Sequence, residues 1–118
     1  MIGKYLMLLI AIEHVWIGMM EIFRWEAGFA KDLAGLNDAQ AAFTTPFAKN
    51  QGTYNLFLAA GLMWAYLSED AYFAGQLRVF FLSCVLVAGL VGWRTVSKRI
   101  FFFQGLPALI ALALMWVG

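Results

Sequence analysis

The amino-acid sequence predicts an all-α fold, a polytopic membrane protein whose four transmembrane helices form one bundle. Three observations predict it. Of 118 residues, 64% are hydrophobic and 13% are charged, about half the charged share of a soluble domain. A chain this short has too little interior to hide that much apolar side chain from water. Four apolar segments also approach the roughly 20 residues that a membrane-crossing helix needs. Aromatic residues reach 17%, five of them Trp, as expected where rings settle among lipid headgroups.

The first segment runs from about Ile2 to Phe23. Its start resembles a signal peptide only faintly. Glu13 and His14 interrupt the apolar stretch and no small-residue cleavage site follows, so it reads as a helix of the mature chain. The second segment covers about Asn50 to Leu67, the third Tyr72 to Trp93, and the fourth Ile100 to Val117. Segments two and four are short for a span, so either their ends extend or the bilayer thins locally. The connections Ser68 to Ala71 and Arg94 to Arg99 are tight, and tight connections force antiparallel neighbours.

Only the stretch Arg24 to Lys49 is long. Gly28, Gly35 and Asn37 break it, while Phe29, Leu33 and Leu36 are spaced for a short helix lying along a membrane surface. Asp38 is placed to cap a further helix that leads into segment two and is kinked at Pro46. Length allows one domain, residues 1–118. The lone Cys84 excludes an internal disulfide, and a net charge of +1 provides no basic surface for nucleic acid. Arg24, Lys31, Lys49, Arg94, Lys98 and Arg99 lie on the side of the long connection, against Lys4 and Arg78 on the other. The positive-inside rule then makes the long loop cytoplasmic, with both termini outside.

Ionisable groups inside a span are costly and mark functional sites by default. Segment one carries Glu13, His14 and Glu21. At 100° per residue His14 and Glu21 stand about 20° from eclipsed, with Gly18 and Trp25 on the same stripe. An imidazole and a carboxylate on one face form a candidate proton-handling pair, and Gly18 leaves room there for another helix or a ligand. Hydrogen-bonded gluing of neighbouring helices is the plain alternative. Segment two opens with a polar arc, Gln51, Tyr54 and Asn55, suited to a ligand of mixed polarity. Asn50 beside them reads as a helix-start cap. In segment four Pro107 cannot donate to the Phe103 carbonyl, and Gln104 stands beside this break. Cys84, Ala88 and Gly92 recur every four residues as a close-packing face. Arg94 can snorkel to the surface or turn inward to a carboxylate. Antiparallel order puts Glu21, Trp25, Gln51, Tyr54, Asn55, Arg94 and Gln104 in the long-loop half, with His14 near mid-depth. Packing alone does not account for that asymmetry.

These same residues resemble a known family. Glu13-His14, Glu21-x-Phe23-x-Trp25, Asn50-Gln51-Gly52-x-Tyr54-Asn55-x-Phe57-Leu58-Ala59-Ala60-Gly61-Leu62 and Gln104-Gly105-Leu106-Pro107-Ala108 are similar to the small bacterial membrane proteins grouped as domain of unknown function 1304. The resemblance runs nearly end to end. It implies four helices and a membrane location, and no established activity.

Function is therefore open among three classes. A buried carboxylate and imidazole suit binding of a small hydrophobic or amphipathic ligand, or its proton-coupled transport, which needs a homodimer because four helices barely enclose a pathway. The same pair suits an intramembrane acid/base enzyme, isomerase-like, acting on a lipid-like substrate with Gln51 and Asn55 orienting it. A structural or assembly role is the third. A metal site is disfavoured, because His14 is the only His and Cys84 lies on another helix; no cofactor is implied. The bilayer is the expected partner.

Overall fold

The computed structural model of the chain describes residues 2–116, and every regular element among them is helical. Helix α1 spans Ile2–Phe23, a short α2 Phe29–Ala34, α3 Asp38–Leu67 and α4 Ala71–Thr95. The chain then runs through a single turn, α5, at Lys98–Ile100, a π-helical turn at Phe101–Gly105, and α6 at Leu106–Leu114. Val117, the expected end of the last segment, lies outside the described residues.

Two of these helices, α1 and α4, are long and apolar enough to cross a membrane by length and composition. At 1.5 Å per residue their 22 and 25 residues span about 33 and 37 Å, more than the roughly 30 Å of a hydrocarbon core. The other two segments depart from the expected picture. The helix holding segment two is 30 residues long and begins at Asp38, with a polar first half. Its cap is Asn37 rather than Asp38. The Asn37 side chain accepts from the Gln40 amide at 2.8 Å while Gln40 Oε1 accepts from the Asn37 amide at 3.0 Å, a reciprocal capping box. The helix continues unbroken through Pro46.

Asp70 caps α4, accepting from the amides of Tyr72 and Phe73. After α4, Ser97 accepts from the Arg99 amide and starts the last segment. Before Pro107 the ladder widens, and the Leu106 amide bonds the Phe101 carbonyl, five residues back. A proline removes one donor from the ladder, and a π-turn takes up the local mismatch by admitting an extra residue.

In cross-section α1 packs on α3 and α6, and α4 packs on the same two, so α1 faces α4 across a diagonal. The molecule extends 47 × 23 × 17 Å, its length matching the roughly 45 Å of α3. Met7, Ile10, Leu62, Leu82 and Val85 are fully buried and form the core with Ala11, Ala65, Ala108 and Ala111. All lie toward the end with the tight Ser68–Asp70 connection.

Two glycine crossings set the helix spacing. A Cβ on Gly18 would lie 2.9 Å from the Gly52 carbonyl oxygen, and one on Gly52 would lie 2.7 Å from that of Gly18. A Cβ on Gly89 of α4 would lie 2.5 Å from the Gly105 amide nitrogen. The room that Gly18 leaves is thus filled by α3. Gly89 is thus a close-packing glycine of α4; of the expected Cys84–Ala88–Gly92 stripe, Gly92 packs closely too, against the Ile100 side chain, while Ala88 and Gly92 also turn to a cavity.

Gly18→Ala therefore destabilises the protein by about 1–3 kcal/mol, as overpacking does, in thermal unfolding in nonionic detergent. Gly75→Ala, with open space around the added methyl, is neutral or gains about 0.5–1 kcal/mol from helix propensity. Equal melting of the two variants would show that the glycine crossing does not limit stability.

Candidate functional site

The half of the molecule opposite the core is hollow. A cavity of about 640 Å³ lies between α1, α3, α4 and the π-turn. Leu33 and Ala34 of α2, with Leu36, form part of its wall. Of the expected amphipathic stripe, Leu33 and Leu36 thus face the cavity; the Phe29 side chain lies outside the described residues. Gly35 ends α2 with φ +72°, the left-handed conformation that favours glycine.

Three contacts fasten the long connection to α3. Trp25 Nε1 donates to Thr44 Oγ1 at 3.0 Å, Thr45 Oγ1 donates to Glu26 Oε2 at 3.1 Å, and Lys31 pairs with Asp38. The Lys31 hydrogen bond, and then its charge, hold the Asp38 carboxyl below its ordinary value; the same bond raises the Lys31 ammonium above its own.

Five of the nine residues singled out from the sequence line this cavity: Glu21, Trp25, Gln51, Asn55 and Gln104. The Glu21 carboxylate accepts from the Asn55 amide group. Their meeting follows from antiparallel geometry. Side chains lean toward the N-terminus of their own helix. Glu21 sits level with Gly52, its Cβ 3.0 Å from where a Gly52 Cβ would stand. It leans toward the core half, while Asn55, one turn deeper on α3, leans back toward it.

His14 is placed differently. It is fully buried, but it stands behind the cavity wall rather than on it. The α1 residues on the cavity wall, Trp16, Ile17, Met20 and Glu21, centre about 90° round from His14 at 100° per residue. Nδ1 of His14 is 2.8 Å from the Ile10 carbonyl and Nε2 is 3.0 Å from the Gln104 amide nitrogen. A carbonyl only accepts and an amide NH₂ only donates, so Nδ1 carries the proton and Nε2 accepts. The imidazole is neutral with both nitrogens engaged, and it does not touch Glu21 as a pair. It joins α1 to the π-turn, and Gln104 stands between it and the cavity.

Three expected residues lie elsewhere. Tyr54 is 55% exposed and stacks edge-on against Phe57 at 5.7 Å; its offset of about 60° from the Gln51–Asn55 line takes it to the outer surface. Arg94 is exposed and lies off the cavity wall. Glu13 lies off it too, its Oε1 3.8 Å from His14 Nδ1 and buried without a hydrogen bond among the described residues. Sequence reasoning missed Trp16, Thr44, Phe47 and Phe103 on the wall. Trp16 and Met20, one helical turn apart beside Ile17 and Glu21, carried the available signal. Phe103 carried none, since the π-turn resets the faces of its helix. Among the described residues no group of His, Cys, Asp and Glu is set to hold a metal ion.

Fold and site together define an all-helical protein with two helices apolar enough to cross a membrane and a mixed-polarity cavity in one half. The chain belongs to the family described as protein of unknown function, DUF1304, whose model matches residues 8–116. It is 30% identical over 109 residues to the Uncharacterized protein YpaA of Lactococcus lactis subsp. lactis (strain IL1403), a match covering 91% of this chain and 90% of that one. No solved structure matches it.

Replacing Gln104 by Leu leaves His14 Nε2 a buried acceptor without a donor, which costs about 1–3 kcal/mol. His14→Phe combined with Gln104→Leu removes both polar partners and recovers part of that loss. Thermal unfolding of the three variants measures the coupling, and a Gln104→Leu protein that melts like wild type would show the bond to be energetically idle.

Proposed function

We propose that this chain is a single-domain, four-helix, multi-pass membrane protein that binds a small amphipathic molecule in the cavity beside Glu21. The cavity carries the reading. Its volume falls in the range of small-molecule sites, and its few polar groups are gathered among apolar and aromatic walls, the usual composition of such sites. The exterior supports the membrane part. Leu9, Ile12, Phe57, Phe80, Val87 and Ile110 are all exposed, more apolar surface than a water-soluble monomer presents. Exposed Tyr5, Trp64, Tyr72 and Trp116 ring the end near the tight Ser68–Asp70 connection, and Trp93 stands toward the other, as in the aromatic belts of membrane proteins. In this reading α3 and the α5–α6 rod complete the bundle. Six Lys and Arg against two put the long loop in the bacterial cytoplasm. A second copy of the chain would be needed for transport across the bilayer, and binding is the part of that reading which one chain supports. Catalysis through His14 is disfavoured, since neither ring nitrogen is open to a substrate.

Native mass spectrometry of protein extracted in nonionic detergent, with organic extraction of the sample, tests the binding. The expected result is a bound small molecule that is lost in Ala48→Trp, where an indole fills the cavity. A molecule retained by Ala48→Trp, or none in either protein, would overturn the reading.

Orientation is tested separately. A Lys31→Cys variant carrying Cys84→Ser should resist an impermeant maleimide on intact cells and react after permeabilisation. Labelling of intact cells would reverse the topology.

A further inference from the structure

We propose that the cavity selects an organic monocation, with the Glu21 carboxylate as its counter-ion. This rests on the binding reading above and gives the ligand its chemical class. Among the described residues lining the cavity, Glu21 is the one with an ionisable side chain; no Lys, Arg or His faces it. The hydrogen bond on that carboxylate comes from Asn55. A neutral amide orients an oxygen and brings no charge. A carboxylate partly withdrawn from water holds its charge best beside a cation, and none of the described side chains on the cavity wall supplies one. The charge that balances it enters with the ligand.

The remaining walls narrow the class of cation. Trp16, Trp25, Phe47 and Phe103 line the same space, and aromatic rings favour organic cations by their quadrupole while offering nothing to a strongly hydrated metal ion. Trp25 is held in place by its bond to Thr44. Calcium and magnesium require six or more oxygen ligands in close array, and one carboxylate with scattered amides does not make such a shell. An anion would meet the Glu21 charge with no compensating group. The occupant that satisfies both the lone carboxylate and the aromatic walls has one positive centre on an apolar body, such as an alkyl or aryl ammonium.

The test uses two probes of similar shape, tetraphenylphosphonium and neutral triphenylphosphine oxide. Saturable binding is measured to the full-length protein in phosphatidylcholine nanodiscs, with empty nanodiscs subtracted. Tetraphenylphosphonium should bind, and Glu21→Gln should weaken it by roughly tenfold or more, as for loss of a close ionic partner, while leaving the neutral probe unaffected. Glu21→Asp, which keeps the charge, should retain most of the affinity, and this variant decides the matter if Glu21→Gln fails to fold. Glu69→Gln, a charge removed from the exposed connection at the other end of the molecule, should change nothing. Equal binding of the phosphonium to wild type and Glu21→Gln would overturn the cation assignment. So would a neutral probe that binds as tightly as the phosphonium and is lost in Ala48→Trp; that result would leave the binding cavity standing. If neither probe binds and no molecule co-purifies, the binding reading falls together with this one.

Discussion

The contact between Gly18 and Gly52 governs the rest of the arrangement. With no side chain on either residue, the backbones of α1 and α3 come close enough that an added Cβ on either side would meet a carbonyl oxygen inside 3 Å. Small residues at helix crossings gain their stability from dispersion over closely fitted surfaces, and that mechanism does not depend on water being present. The crossing also fixes the vertical register of α1 against α3. With Gly18 crossing Gly52, Glu21 reaches Asn55 directly. A slip of one turn would take the carboxylate away from its donor. The glycine pair is therefore a positioning device for the polar pair as well as a packing contact.

A second close approach, Gly89 against Gly105, does the same for α4 and the last segment. Its partner residue belongs to the π-turn. That turn holds Gln104, whose amide meets His14 from the far side of α1. The two crossings thus converge on a narrow layer across the middle of the molecule, where His14 and Gln104 stand. On one side of the layer the interior is filled by Met7, Ile10, Leu62, Leu82 and Val85. On the other side it is open. A layer holding the buried His14–Gln104 bond separates a half that supplies stability from a half that holds space, and paired polar groups at such a boundary favour one arrangement over others.

Much of the fold was legible in the sequence because its signals are local. Segment lengths, tight connections and the 3.6-residue period fixed where helices lie, and placed Glu21, Gln51, Asn55 and Gln104 in one half. What was not legible depends on rotation between helices. His14 and Glu21 are nearly eclipsed by spacing, yet only Glu21 faces the cavity, because His14 sits at the edge of that face and turns to Gln104. Tyr54 and Arg94 stand off the cavity for the same reason: depth follows from position along a helix, but facing is decided by the neighbour. The π-turn was legible only as a weak point at Pro107. Its consequence, the presentation of Phe103 to the cavity and Gln104 to His14, is a tertiary outcome that no periodic pattern carries. The capping residue, Asn37 instead of Asp38, is a shift of one position that side-chain geometry alone decides.

The polar groups of the hollow half differ in how fully they are engaged, and the difference tracks their role. His14 has donor and acceptor both occupied, so it is part of the scaffold. Trp25 is fixed through Thr44, which in turn donates to the Gln40 carbonyl at 2.7 Å, so the ring is held by the protein itself. Glu21 receives one bond, and a carboxylate has acceptor sites for several; Gln51, exposed on the cavity wall, presents an amide that both donates and accepts. Under the proposed binding role, a cavity in which Trp25 and the helix register are fixed while acceptor capacity remains on one carboxylate is pre-organised, and pre-organisation lowers the ordering cost of binding. The rigid parts derive their rigidity from the glycine crossings and the packed half. The chemistry is left to the few atoms that the packing does not use.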